Sequence, residues 1–134
     1  MPLPITAFVA AVCAIMLLIT AIDTVRHRLR AQQAFGDGGD AKLTSASRAH
    51  GNLAEHAPIV IILIGLLEMV RANHLVLMGI AAAFLIGRVS HIIGLYAPST
   101  PGKAPVPRQI GVILTWLTIA LLSGWTIWML AMRN

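Results

Sequence analysis

The chain has 134 residues, of which 57% are hydrophobic and only 11% are charged. A soluble domain of this size would carry about 25% charged residues, so the composition excludes a water-soluble globular core and indicates an integral membrane protein. The net charge of +5 comes from basic residues near predicted helix ends, without a basic face that alternates with aromatics. This pattern favours anchoring to anionic lipid headgroups over nucleic-acid binding. The length fits one domain, residues 1–134.

Four apolar segments predict four membrane-spanning helices. The first is interpreted as a retained span and not as a secretory signal, because no basic residue precedes it and several arginines follow it. A glycine-rich turn precedes the second helix, whose N-cap would be Thr44 or Ser45. The turn at 72–74 is short enough to make the second and third helices antiparallel neighbours. The expected bounds are about residues 3–30, 44–71, 75–96 and 107–132.

The second helix carries polar residues at membrane depth. Its uncharged part, from Ala57 to Leu67, is about half of the roughly 20 residues that a span requires, so the span must include Arg48, Asn52 and Glu55. At 100° per residue these three lie within a sector of roughly 60° and form one stripe. Ionisable groups at this depth are costly and usually face a protein interior or a wet cavity. The stripe is therefore the first candidate for a functional site.

The same end of the bundle collects further polar residues. In an antiparallel arrangement, Arg88 and His91 at the end of the third helix reach the depth of the stripe. The end of the first helix brings Arg26 and Arg30, and the start of the fourth brings Arg108. A surplus of arginines favours an anionic, flexible, polar ligand, beside an apolar wall for a lipophilic second substrate.

An alternative gives these charges a purely structural role, in which Arg48, Glu55 and Arg88 pair with one another and hold the helices together. On the third helix, Gly79 and Gly87 belong to a track of small residues at four-residue spacing, which predicts close packing within the chain or between chains. No cluster of His, Cys, Asp or Glu has metal-ligand spacing, so no metal site is expected.

Positive charge is unequal between the two sides of the predicted bundle. Arg71 and Arg133 lie on the side of the termini and the second loop, which we call loop two. By the positive-inside rule, the first and third loops are expected in the cytoplasm and both termini on the far side. The basic residues on the predicted cytoplasmic side are Arg26, Arg28, Arg30, Lys42, Lys103 and Arg108.

Two motifs resemble those of a known family. The segment 47–58 reads S-R-A-H-G-N-L-A-E-H-A-P and is similar to the R-A-H-x-N-x-x-E-x-x-P signature of the MAPEG family, the membrane-associated proteins in eicosanoid and glutathione metabolism. The segment 84–91, F-L-I-G-R-V-S-H, resembles the third-helix G-R-x-x-H of the same family. The Gly-Asp-Gly-Gly loop resembles that of its bacterial branch. The likeness covers nearly the whole chain.

The resemblance implies an all-α, integral membrane four-helix bundle that assembles as a homotrimer in a bacterial inner membrane. It implies that glutathione binds between neighbouring subunits near the cytoplasmic face. The implied activity is that of a glutathione-dependent transferase or peroxidase acting on lipophilic electrophiles or hydroperoxides. The alternative is a trimeric module that binds glutathione or another anionic metabolite, or scaffolds partners, without catalysis. A small transporter subunit is disfavoured, because the chain lacks inverted repeats and broken helices.

The resemblance also implies roles for residues of the second helix and the first. Arg48, Asn52 and Glu55 match the residues that contact glutathione in the family. Glu55 would bind its α-ammonium group, and arginines would bind its two carboxylates. The family's arginine on the first helix is matched by Arg26, with Arg30 one turn later as the alternative.

On the third and fourth helices, the resemblance implies one binding residue and one catalytic residue. His91 matches the histidine of the family motif and would bind or position glutathione. Arg88 would be structural support through ion pairing. Arg108 follows a proline at the start of the fourth helix, where the family has an arginine near the glutathione sulfur. Arg108 is therefore the expected catalytic residue.

The chain departs from the family pattern in three places. Gly51 stands where some members have an additional basic residue, and Leu95 stands where a tyrosine often follows the histidine of the third helix. Gln109 and Val112 occupy the places of a serine and a tyrosine in prostaglandin E synthase. These departures argue against prostaglandin isomerase chemistry, whereas glutathione binding remains the expectation.

Overall fold

The computed structural model of the chain describes residues 2–98, 100 and 102–132. All four of its helices are long and apolar enough to cross a membrane, which confirms the all-α, four-helix prediction. Arg133, which contributes to the predicted charge asymmetry, lies outside the described residues. The helices are α1 (Pro4–Ala31), α2 (Ala41–Met69), α3 (His74–Tyr96) and α4 (Val106–Met132).

The start of α2 differs from the expectation. The helix begins at Ala41, and Asp40 is its N-cap, with the carboxylate accepting a hydrogen bond from the backbone N–H of Leu43 at 2.8 Å. The prediction of Thr44 or Ser45 as the cap was wrong. An aspartate both satisfies a free N–H group and carries the negative charge that a helix N-terminus favours. Thr44 lies one turn inside the helix, and its single hydroxyl hydrogen is shared between the Asp40 carbonyl oxygen at 2.9 Å and the Asp37 carboxylate at 2.8 Å.

Loop two (residues 70–73) forms the predicted tight hairpin. Arg71 adopts a left-handed conformation with φ of 57°, which reverses the chain directly after α2. Asn73 then caps α3 by accepting a hydrogen bond from the backbone N–H of Val76 at 3.1 Å. Because the connection is so short, α2 and α3 are antiparallel neighbours, as expected.

The core lies mainly along two helix pairs, α1 with α2 and α3 with α4. The outer surface of the bundle exposes many large apolar side chains, as the outside of a membrane protein does. Inside, most of the buried side chains are aliphatic. The central buried residues include Val9, Cys13, Leu53, Ala57, Val60, Phe84 and Leu122.

Glycines bring α3 and α4 into backbone contact. A Cβ atom on Gly94 would overlap the backbone of Arg108, and one on Gly111 would lie 2.7 Å from the carbonyl oxygen of Gly87. Of the predicted small-residue track, Gly87 takes part in this contact, whereas a Cβ on Gly79 would meet no atom within 4 Å. Close packing at Gly87 is thus within the chain, and Gly94 fixes the start of α4.

Candidate functional site

Four helix ends meet on the side of the bundle that carries loop one (residues 32–40) and loop three (residues 97–105). We call this side the arginine end, and the opposite side, with loop two, the far end. Side-chain hydrogen bonds join neighbouring helices here. They link Thr20 Oγ1 with His50 Nδ1 at 3.1 Å, Ser90 Oγ with the Pro107 carbonyl at 2.8 Å, and the Tyr96 hydroxyl with the Asp23 carboxylate.

The predicted stripe on α2 faces outward. Arg48 and Glu55 are exposed and Asn52 is half-buried. Leu53 and Ala57 are buried on the roughly opposite side of the helix, where α2 packs on its neighbours. Arg48 and Glu55 therefore point away from the core of their own subunit, whereas Asn52, between them on the same face, also reaches the buried Arg88.

Arg26 and Arg30 are both exposed on the last turns of α1. Arg26 lines a cavity of about 370 Å³ between α1 and α3, together with Asp23 and Tyr96. The Tyr96 hydroxyl donates a hydrogen bond to the Asp23 carboxylate, so this tyrosine is already engaged within the chain. The cavity combines a polar rim with an apolar wall that includes Ile19, Ile22 and Ile92.

Arg108 is exposed on the first turn of α4. It lines a cavity of about 430 Å³ with Ala104, Gln109, Val112 and Ile113. Because a side chain at Gly94 would overlap its backbone, the position of Arg108 depends on that glycine. Its guanidinium forms no hydrogen bond or ion pair with the described residues, so its charge is available to a ligand.

Arg88 is the buried cation of the bundle, with only 2% of its surface exposed. Its Nη1 lies 3.4 Å from the side-chain oxygen of Asn52 and 3.5 Å from that residue's carbonyl oxygen. Its Nη2 donates to the carbonyl of Gly111, at 3.3 Å, and to the hydroxyl of Thr115. These bonds connect α3 with both α2 and α4.

Arg88 joins helices as predicted, but the prediction that it does so through ion pairing was wrong. Within the described part of the chain, no carboxylate lies within 4.0 Å of Arg88, and its oxygen partners are all neutral. The proposed mutual pairing of Arg48 with Glu55 is also not formed. Among the described residues, His27 Nε2 lies 3.6 Å from an Asp23 carboxylate oxygen, a contact that is an ion pair only when the histidine is protonated.

His91 lies inside the chain and not on the outward stripe. It is 3% exposed and packs where α3 crosses α4, so that a Cβ on Gly111 would overlap it. Its ring forms no hydrogen bond with the described residues. Its role as a residue that binds or positions glutathione stays a prediction, and its packing shows that it also holds α3 against α4.

Loop one folds back over the start of α2. A cavity of about 240 Å³ there is lined by Arg28, Asp37, Thr44 and Arg48, among others. The Thr44 hydroxyl donates to the Asp37 carboxylate at 2.8 Å, and the backbone N–H of Gly39 donates to it as well. These hydrogen bonds, with the nearby positive charge of Arg48, lower the pKa of Asp37 below its usual range.

One chain therefore collects the predicted residues at one end without assembling them into one pocket. Arg26, Arg48 and Arg108 each line a different one of the three cavities described above. Asn52 and Glu55 line none of these three, and Glu55 is exposed on the surface of α2. A ligand that contacts all five residues needs a second surface opposite α2.

Sequence reasoning missed the function of two polar residues. Glu68, near the end of α2, accepts hydrogen bonds from the backbone N–H groups of Ile5 and Thr6, both at 2.9 Å, and from the Thr6 hydroxyl at 2.7 Å. It thereby satisfies the free N–H groups at the start of α1. Thr115 anchors Arg88 to α4. The available signal was a polar side chain inside an otherwise apolar segment.

The fold defines a multi-pass membrane protein with four helices, and comparison with known sequences gives its family. Residues 6–128 match the MAPEG family, and the chain belongs to that family.

Among individual proteins, the chain is similar to the inner membrane protein YecN of Escherichia coli strain K12. The two are 32% identical over 124 residues, covering 92% of this chain and 91% of YecN. The YecN of Escherichia coli O6:H1 strain CFT073 gives the same values. No solved structure matches the chain significantly.

Proposed function

We propose that the protein is a homotrimeric, membrane-bound, glutathione-dependent transferase or peroxidase that acts on lipophilic electrophiles or hydroperoxides. Membership of the MAPEG family supports the class of activity. The observation that carries the proposal is the outward-facing stripe on α2, in which Arg48 and Glu55 are exposed and have no ion-pair partner among the described residues.

This observation favours both an assembly and a ligand. A charged side chain that faces lipid is costly, by about 2.5–3.5 kcal/mol for an arginine at the centre of a span on insertion scales and by less toward its end, where Arg48 lies. A neighbouring subunit that covers α2 removes Arg48 and Glu55 from lipid, and a polar ligand held between the subunits satisfies their charges. The homotrimer supplies the second surface that one chain lacks.

Glutathione fits the chemistry of this residue set. It carries two carboxylates, an ammonium group and several amide groups on a flexible backbone. Arg48 and Arg26 suit the carboxylates, because guanidinium groups bind carboxylates with two parallel hydrogen bonds, and Arg30 is the alternative to Arg26. Glu55 suits the ammonium group, and Asn52 suits an amide or a carboxylate. The excess of arginine over glutamate matches the net negative charge of glutathione.

Arg108 is the proposed catalytic residue. Bound glutathione would supply a thiolate as the nucleophile. The exposed guanidinium of Arg108 supplies the positive charge that favours the anionic sulfur over the thiol. Favouring the anion tenfold takes about 1.4 kcal/mol, which is within the range of one charge-assisted hydrogen bond. Gly94 and His91 support this role by holding the start of α4 in place.

The experiment titrates the purified protein with glutathione and follows the ultraviolet absorbance of the thiolate, alongside conjugation of 1-chloro-2,4-dinitrobenzene and reduction of cumene hydroperoxide. We expect Arg108→Ala to abolish the thiolate signal and to reduce turnover about 100-fold or more, in line with the loss of one charged group that stabilises an anion. Glutathione affinity should change little, because other residues bind the carboxylates.

The matched control is Lys42→Ala, which removes an exposed positive charge at the same end of the bundle. Its turnover and thiolate signal should equal those of the unchanged protein. Full turnover in Arg108→Ala would remove Arg108 from the mechanism. Cross-linking in the membrane tests the assembly, and a product no larger than one subunit would contradict the trimer.

A second candidate function is a trimeric module that binds glutathione, or another anionic metabolite, without catalysis. The observation that favours it concerns the tyrosine that many family members place after the histidine of α3. Leu95 occupies that place, and the hydroxyl of the adjacent Tyr96 is bound to Asp23. Calorimetric binding of glutathione without turnover of either substrate would select this candidate.

For location, we propose a multi-pass protein of the bacterial inner membrane with the arginine end in the cytoplasm. The similarity to an inner membrane protein and the four apolar helices support the location. The charge asymmetry between the loops supports the orientation. Replacing Cys13 by serine and labelling a single cysteine at Lys103 or at Asn73 with a membrane-impermeant reagent tests it. Labelling of Lys103→Cys from outside intact cells would contradict this orientation.

A further inference from the structure

The chain contains a buried cation that neither the ligand-binding nor the catalytic proposal uses. Arg88 lies between α2, α3 and α4, and its guanidinium carbon is 5.9 Å from the centre of the Phe84 ring. A buried charge normally has a counter-charge, because transfer of an unpaired ion from water costs several kcal/mol. Arg88 has none among the described residues, and it contacts a residue of the proposed ligand site instead.

We infer that Arg88 is a positioning residue that turns the side-chain amide of Asn52 so that its N–H₂ group points to the ligand as a hydrogen-bond donor. This inference deepens the proposed function and rests on it for the identity of the ligand. The orientation of the amide itself does not depend on which ligand binds.

The orientation follows from the chemistry of the two groups. A guanidinium has five N–H donors and no acceptor, so the atom of the Asn52 amide that faces it must be the oxygen Oδ1. Arg88 Nη1 lies 3.4 Å from that oxygen. The same Nη1 lies 3.5 Å from the Asn52 backbone carbonyl, so Arg88 holds both oxygens of one residue. The nitrogen Nδ2 is then directed away from Arg88.

Arg88 is also bound on its other side, which restrains it from turning to follow Asn52. Its Nη2 donates to the Gly111 carbonyl at 3.3 Å and to the Thr115 hydroxyl. Thr115 in turn donates to the Gly111 carbonyl at 2.8 Å, which fixes the direction of its own hydroxyl. The amide of Asn52 is thus connected to α4 through a chain of hydrogen bonds that passes through Arg88.

This arrangement has a consequence for ligand choice. A fixed N–H₂ group donates to a carboxylate or carbonyl oxygen and disfavours a ligand that presents an ammonium group, which has only donors, at the same place. A ligand without the acceptor would leave a half-buried donor unsatisfied, and such mismatches are costly. Asn52 and Glu55 therefore select opposite groups from neighbouring positions: an acceptor at Asn52 and a cation at Glu55.

Asn52→Asp separates this role from a general structural one. A carboxylate at this position adds the missing counter-charge for Arg88 but cannot donate a hydrogen bond to the ligand. We expect the melting temperature of the ligand-free protein in detergent to stay equal or rise, while glutathione affinity falls about tenfold or more. The matched control is Asn73→Asp at the far end, where either residue caps a helix and both quantities should be unchanged.

A variant that simply disturbs the fold would lower the melting temperature and the affinity together, and that result for Asn52→Asp would overturn the inference. Unchanged glutathione affinity in Asn52→Asp would overturn it as well. In the Arg88→Gln background, Asn52→Asp should no longer raise or preserve the melting temperature. If Arg88→Gln does not fold, the melting temperatures and glutathione affinities of Asn52→Asp and Asn73→Asp are sufficient to test the inference.

The proposed function and the inference fail in different ways. If the unchanged protein shows no glutathione binding, the proposed function falls. The orientation of Asn52 is then judged by the melting temperatures alone, where a decrease in Asn52→Asp counts against it and an increase that depends on Arg88 supports it.

Discussion

Glu68 at the far end of the bundle and four charged residues at the arginine end differ in whether the chain itself satisfies them. At the far end, the carboxylate of Glu68 accepts three hydrogen bonds from the start of α1 and completes that helix. At the arginine end, the exposed side chains of Arg26, Arg48, Glu55 and Arg108 form no hydrogen bond or ion pair with the described residues. A charge that the chain satisfies itself serves the fold, whereas Arg48 and Glu55, which stay unsatisfied on the membrane-spanning helix α2, indicate a partner or a ligand.

The largest effect should come from Gly94→Ala, which tests how the arginine end is held together. The added methyl group would overlap the backbone of Arg108, so the start of α4 must shift. Overpacking of this kind costs about 1–3 kcal/mol of stability, and a displacement of about 1 Å at a catalytic group can lower activity about 100-fold. Melting temperature and turnover in detergent measure the two effects.

The control for this prediction is Gly79→Ala on the same helix. A methyl group there meets no atom within 4 Å, and alanine is favoured over glycine in a helix by about 0.5–1 kcal/mol. Gly79→Ala should therefore keep or slightly raise the melting temperature. If Gly94→Ala behaved in the same way, Gly94 would not determine the position of Arg108.

Glu68→Ala tests the other half of the comparison. It removes the acceptor of three hydrogen bonds and leaves the N–H groups of Ile5 and Thr6 without their partner. We expect a loss of about 1–3 kcal/mol in stability, with the folded protein keeping its glutathione affinity because the change lies at the far end. Thermal unfolding and calorimetry provide the two measurements.

Glu68→Gln keeps one side-chain oxygen as an acceptor and should lose less stability than Glu68→Ala. A clear loss of glutathione affinity in either variant would mean that Glu68 also affects the ligand site. The role of Glu68 would then not be limited to the fold.

The smallest effect concerns Asp37, which lies near Arg48 in loop one. Its pKa is lowered below the usual value of 3.8, mainly by the hydrogen bond from Thr44. The stability that the ionised Asp37 contributes is therefore present above about pH 3.8 and is lost as the pH falls through the lower pKa of the folded state. The melting temperature of the unchanged protein should fall more steeply below pH 3.8 than that of Asp37→Asn.

The control for Asp37→Asn is Asp40→Asn, in which asparagine replaces aspartate as an equally good helix cap. Because Asp37 is fully exposed, the expected difference is small. A large loss of stability in Asp37→Asn at neutral pH would indicate that Asp37 is a firm partner of Arg48, and Arg48 would then not count as an unsatisfied charge.

Several features of the fold could be predicted from local sequence. The apolar segments predicted four helices with bounds within about three residues, and the short turn at 72–74 predicted the α2–α3 hairpin. The N-cap of α2 was misplaced because Asp40, Thr44 and Ser45 are all good capping residues. Which of the three becomes the N-cap depends on the path of loop one, because the helix begins where that loop stops being extended.

The candidate site could be predicted less completely. The spacing of Arg48, Asn52 and Glu55 gave their common face correctly, since helical periodicity fixes it. The partners of Arg88 could not be predicted, because an arginine among apolar residues suggests a carboxylate partner. In the structure, three neutral oxygen-bearing residues from two other helices fill that role.

The sequence by itself determined the membrane environment, the four helices and the common face of Arg48, Asn52 and Glu55, because hydrophobicity and helical period depend only on residues close together in the chain. The tertiary structure decided which charges are satisfied and which are not. That outcome depends on glycines at 87, 94 and 111, which bring α3 and α4 close enough for Arg88 to reach Thr115 and for Gly94 to fix Arg108. Such contacts join residues far apart in the chain, and no local pattern encodes them.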